Sequence, residues 1–116
     1  MAKINTKISY NKEEDILDLS RGNISQASIE VGDFIIDIDS KGFVSALEIL
    51  NASENLNFSS ELLEHIGKAS MNILYKPGYL QIMLVFYFQG KEKEVVIPLT
   101  VDLGHKQTHN EEMVFA

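Results

Sequence analysis

The sequence contains no cysteine and no tryptophan, only two prolines, and a single arginine, Arg21. Without cysteine there is no disulfide framework, no thiolate metal site and no thiol nucleophile. One isolated arginine argues against nucleic acid as a partner, because phosphate binding needs clustered lysine and arginine. Long apolar runs are missing too. The longest, Ile82 to Phe88, is far shorter than a membrane span, and the opening "MAKINTKISYNKEED" has no signal-peptide core, so the expected location is cytoplasmic, with no membrane partner.

What is present suits an ordinary globular chain: 116 residues, 45% hydrophobic and 23% charged. That length predicts one domain, which can bury roughly two-thirds of the surface its unfolded form exposes. The net charge of −7 is unevenly placed, with seven acids and one base between Val31 and His65. Between Ile66 and Val101 the balance turns positive, through Lys68, Lys76, Lys91 and Lys93. Such lysines at strand ends discourage sheet-to-sheet aggregation.

Period-two alternation dominates the pattern. Ile4, Thr6, Ile8 and Tyr10 alternate with Lys3, Asn5, Lys7 and Ser9, and after the turn "NKEED" comes a short strand, "ILDLS". "ASIEV" and "DFIIDID" follow, and "SKG" turns the chain into "FVSALEIL". The register of that last hairpin stays open. A three-residue loop sets Ile38 opposite Val44, Ile36 opposite Ala46 and Phe34 opposite Glu48, whereas a two-residue loop puts Phe43, Leu47 and Ile49 on the apolar face. A short helix is expected near residues 60–66, capped by Ser59, with Phe58 and Leu63 placed as a hydrophobic staple and Gly67 as the stop.

The last third reads as a three-strand meander: "SMNILY", the turn "KPGY", "YLQIMLVFYF", and "EVVIPLTV". Its middle strand is apolar on both faces, so something must cover each of them. Pro98 cannot donate to a ladder, which places its strand at an edge. The expected fold is therefore an antiparallel, mainly β domain over residues 1–101, with about eight strands and one short helix between two meanders. Residues 102–116 read as a polar, flexible tail.

"DIDSKGFVSALE" has acids at positions one, three and twelve and glycine at six, close to the calcium loop of helix-loop-helix proteins. Lys41 at the fifth position and the β-branched run before it favour a plain hairpin instead. A divalent-ion site at Asp33, Asp37, Asp39 and Glu48 stays as the second reading, since carboxylates crowded on one strand face are relieved by a cation. His105 and His109 have a metal-compatible spacing only on a helix, and "LGHKQTHN" is not helix-like. His65 is expected at the carbonyl end of its own helix. No acid, base and nucleophile set stands out, so an enzyme is not the expectation, and no cofactor is implied.

Two stretches resemble a known family of small prokaryotic proteins, domain of unknown function 2283. They are "ISYNKEEDILDLS" and "VGDFIIDIDSKGFVSALEILNAS", spanning Ile8 to Ser53, with Asp18 where the family usually has an aromatic residue and Ala46 where it often has glycine. The resemblance implies a small β-rich domain with no established activity, and hence no functional residues to carry over. It also suggests a partner half of a two-protein module. The functional expectation is a non-catalytic interaction module, a homodimer or the partner of another small protein, using Tyr79, Met83, Val85 and Tyr87.

Overall fold

The computed structural model describes residues 6–88 and 90–115. Lys3 to Asn5, the first half of the opening alternation, lie outside them. Among the described residues the chain forms nine strands and two short helices: β1 (Lys7–Asn11), β2 (Ile16–Ser20), β3 (Ala27–Val31), β4 (Phe34–Ile38), β5 (Val44–Ile49), α1 (Ala52–Leu56), α2 (Ser60–Leu63), β6 (Lys68–Lys76), β7 (Tyr79–Phe88), β8 (Lys91–Leu99) and β9 (His109–Phe115). The strands make two antiparallel sheets, ordered β1-β2-β5-β4-β3 and β8-β7-β6-β9. The mainly β expectation holds. The first sheet is not a simple meander, because the connection after β2 carries the chain to the far edge and β5 returns to fill the place beside β2.

Alternation decides which side chains meet. Leu17, Leu19, Ile36, Leu47 and Ile49 of the first sheet share one buried cluster with Met71, Ile73, Leu80, Ile82, Leu84 and Phe86 of the second. Neither sheet could shed its apolar face to water alone, and face-to-face burial satisfies both at once. α1 and α2 close one end of the sandwich. Phe58, between them, sets its ring edge-on to Phe86 and Phe88, at 5.6 Å from each. Ser59 caps α2 as its sequence suggests, its hydroxyl accepting from the Leu62 amide, but the helix is a single turn that stops at Leu63, short of Gly67.

The hairpin around Gly42 combines both candidate registers. Ile38 pairs with Val44, as the three-residue loop requires, and then a β-bulge admits Ser45 as an extra residue, so that Ile36 faces Leu47 and Phe34 faces Ile49. The bulge is stabilised locally: the Ser45 carbonyl accepts from the Arg21 amide, and its hydroxyl lies 2.7 Å from that of Ser25. Glu48 is thereby turned to the outer face, opposite Ile35 and Asp18.

The largest correction concerns residues 102–116. Among the described residues, 109–115 are not a loose tail after a domain ending at Val101. His109–Phe115 pairs with β6 along its length, from Ala69 opposite Phe115 to Tyr75 opposite His109, and buries Met113 and Phe115. The polar residues between them occupy the outward positions of an edge strand, and this is why composition alone suggested a tail. Pro98 does sit on an edge strand, β8, opposite Gln81.

Candidate functional site: the outer faces of the two sheets

Each sheet presents one face to its partner sheet and one to water. On the outer face of the first sheet stand Lys7, Asp18, Glu48, Asp37 and Glu30, interspersed with Ser9, Ser20, Ala46 and Ser28. Burial, together with the charges of neighbouring carboxylates, pushes the Glu48 and Asp18 carboxyls above their usual range; for Glu48 the neighbours are Asp18, Asp37 and Glu14, and for Asp18 the neighbour is Asp37.

The four carboxylates singled out for an ion are not brought together. Asp33 and Asp39 bracket β4 at opposite ends, about 20 Å apart at the rise of an extended strand. Asp33 accepts from the side-chain amides of Asn51 and Asn55, Asp37 from the Ser28 hydroxyl, and Asp39 from the backbone amides of Lys41 and Phe43 as well as Asn23. Asp39 thus holds the turn that the calcium pattern had suggested as a loop, with Gly42 at φ +83°. Among the described residues no group of three or more His, Asp or Glu is arranged to hold a metal.

The residues expected at an interface, by contrast, share one surface. Tyr79, Met83, Val85 and Tyr87 lie half-buried along the outer face of β7, and no other element of the described chain packs over them. Register extends the patch sideways. Val96 of β8 lies opposite Met83, and Val114 of β9 lies across Ser70 from Val85. Val96 and Val114 are 48% and 45% exposed, two of the three most exposed large apolar side chains among the described residues. Around them the face carries charges of both signs: Lys68 and Lys76 on β6, Glu92 and Glu94 on β8, Glu112 on β9. The Lys68 ammonium sits 5.4 Å from the centre of the Tyr87 ring.

A third constellation escaped the sequence reading. At the end of the sandwich away from the helices, Arg21 donates to Glu111 at 2.6 Å and to the Val44 carbonyl at 3.3 Å. The Tyr75 hydroxyl donates to the other Glu111 oxygen at 2.8 Å and accepts from the Val44 amide at 2.9 Å. Burial is the main reason the Tyr75 phenol is pushed far above its ordinary value, with the Glu111 contact adding to it and the Val44 bond opposing it. Phe43, His105 and His109 pack on the Tyr75 ring, and the His105 Nε2 lies 2.8 Å from the Gly42 carbonyl. No buried side-chain polar atom of the cluster lacks a partner, so it reads as a staple joining the end of β2 to β5, β6 and β9 rather than a reactive centre. Its sequence signal was the spacing of Glu111, Met113 and Phe115, a period of two inside the supposed tail.

A second polar knot ties the two stretches that carried the family resemblance. The Asp15 carboxylate accepts from the Tyr10 hydroxyl at 2.6 Å, from the Ser53 hydroxyl at 2.6 Å and from the Ser53 amide. Burial pushes the Asp15 carboxyl up, but the bonds from Ser53 and Tyr10 more than offset it, and the net direction is down. Tyr10 moves to about 12, through its burial and the bond to Asp15.

Residues 7–53 match the family of proteins of unknown function DUF2283. The DUF2283 segment coincides with the first sheet and ends on Ser53, the residue bound by Asp15. An uncharacterized protein of Methanocaldococcus jannaschii is 29% identical over 92 residues, 78% of this chain and 79% of its own length, so that similarity reaches beyond the first sheet. No solved structure matches the chain. Among the described residues no helix is long and apolar enough to cross a membrane.

Proposed function

We propose that the protein is a non-catalytic interaction module that self-associates through the outer face of β6–β9, in the cytoplasm. The observation that carries the proposal is the apolar patch of Met83, Val85 and Val96 on adjacent strands, with Val114 beyond Ser70, left open by the other described residues. Charge selects a second copy as the occupant. The patch is rimmed by lysines and glutamates, so two copies can meet with opposite signs in contact. The outer face of the first sheet carries four acids and one lysine and would repel its own copy.

Native mass spectrometry and light scattering across a concentration series test this reading. Wild type is expected at twice the chain mass, and Val85→Lys, beside Glu94 on the adjacent strand, as a folded monomer. A wild-type protein that stays monomeric at millimolar concentration would sink the proposal. So would a Val85→Lys variant that is still dimeric.

A further inference from the structure

Among the described residues β1 is an edge strand, paired with β2 alone. Half of the N–H and C=O groups of such a strand point away from its sheet. Beside β1 lies a cavity of about 250 Å³, bounded on its far side by α2 and the residues just after it. Buried Leu17 and Leu63 form part of its lining with half-buried Ile8, Tyr10 and Ile66. A void of about 150 Å³ already takes a benzene-sized group. The Tyr10 ring is fixed in place, because its hydroxyl is held by Asp15.

Charge at this groove is graded along the strand. At the turn end Glu61 and Glu64 share the single ammonium of Lys12, at 3.8 and 2.9 Å, and exposed Glu13 and Glu14 stand in the adjoining turn. At the other end of β1 stands Lys7. β8 is guarded as an edge by Pro98, Lys91 and Lys93, whereas β1 has neither proline nor bulge. An exposed sheet edge beside a groove is the arrangement by which domains add a peptide as an extra strand.

We infer that the groove between β1 and α2 takes an extended peptide segment as a sixth strand of the first sheet, with one aliphatic or aromatic side chain in the cavity and a basic residue toward Glu61 and Glu64. This uses the opposite sheet from self-association and stands independently of it. The backbone of β1 supplies affinity, the cavity selects the anchor side chain, and the carboxylates select the flanking charge.

The probe is a pool of capped heptapeptides, Thr-Arg-Val-X-Val-Arg-Thr, in which X runs through the aliphatic and aromatic residues. Binding is followed by amide chemical shifts of the labelled full chain. At least one member is expected to bind saturably, with shifts concentrated in residues 7–11 and 60–66. Replacing both arginines by glutamate, or introducing Glu64→Lys into the protein, is expected to weaken it about tenfold. A peptide N-methylated at alternate residues is expected not to bind, since strand addition needs its amides. The inference is overturned if no member binds, if the shifts map elsewhere, or if the N-methylated peptide binds equally well. It is also overturned if residues 7–11 shift with protein concentration alone, because a second copy would then be pairing at this edge.

Discussion

The first sheet turns Asp18, Glu30, Asp37 and Glu48 to water, and the second turns Met83, Val85, Val96 and Val114. Their inner faces join one buried apolar cluster, the second sheet adding Tyr75, Phe86 and Phe115 to it, so the contrast that matters lies outside. The difference lies in what each outer surface tolerates. A sheet with crowded carboxylates is kept apart from its own copies, whereas one with apolar rows and mixed charge can associate. The DUF2283 match stops at residue 53, before the sheet with the open apolar face begins. Whatever this chain does with that face is therefore carried outside the matched segment.

The strongest way to break the relation between the sheets is to remove the strand that joins them at one end. A chain stopped after Thr108 loses β9, and with it Met113, Phe115 and Glu111. The expected result is loss of cooperative urea unfolding, since burying Phe115 alone is worth about 3–5 kcal/mol by comparison with Phe-to-Ala substitutions. Unchanged unfolding would mean that β9 is dispensable to the sandwich.

Next comes the staple itself. Arg21 and Glu111 are each 17% exposed, and Glu111→Ala leaves the guanidinium without its charge partner and the Tyr75 hydroxyl without its acceptor. A cost of about 3 kcal/mol is expected, toward the lower end for a buried pair that loses one partner. Tyr75→Phe should cost less, about 1–2 kcal/mol, through the unpaired Val44 amide. Replacing both charges, Arg21→Met with Glu111→Leu, should recover most of the loss in the same denaturation experiment. If the double variant is as unstable as the single one, the pair contributes more than mutual compensation.

A smaller effect is expected at the turn. Gly42 holds φ +83°, and a Cβ there would stand 3.1 Å from the Leu103 carbonyl of the loop before β9. Gly42→Ala should cost about 1–2 kcal/mol from backbone strain and that contact. Thermal melts of Gly42→Ala beside the wild type measure that cost, and an unchanged midpoint would mean that the Leu103 carbonyl gives way to the new Cβ.

How much of this was legible follows the same division. The first sheet could be read strand by strand because its outer positions are polar: the alternation of Asp37 with Ile36 and Ile38 names the faces directly. The bulge at Ser45 could not be read, since it depends on Arg21 and Ser25 arriving from another connection. In the second sheet, Tyr79 to Phe88 showed that two faces needed cover but not which one the first sheet would take. β9 was missed because Asn110, Glu112 and the loop residues before them dilute its apolar spacing. Of the candidate sites, the four residues proposed from the apolar strand line one side of β7, whereas the carboxylates, close in sequence, are spread along β4 from Asp33 to Asp39 and onto β5.

The subtlest distinction between the sheets is electrostatic and depends on pH. Folding raises the Glu48 and Asp18 carboxyl pKa values, so protonation favours the folded state, an advantage full below the unfolded chain's carboxylate range and lost as pH rises through the folded values. Glu48→Gln should therefore stabilise the protein near pH 7 by about 0.5 kcal/mol, a modest figure because the group is partly hydrated, and make no difference in acid. Asp15 has the opposite sign. Its lowered pKa gives a stabilisation that is full above the unfolded value and lost as pH falls through the folded one. Asp15→Asn should then weaken the protein at neutral pH and flatten its acid limb. Urea titrations of both variants from pH 3 to pH 7 check the pair of signs together. Parallel curves for the two would show that the carboxylates of the first sheet respond to its overall charge, not to their individual partners.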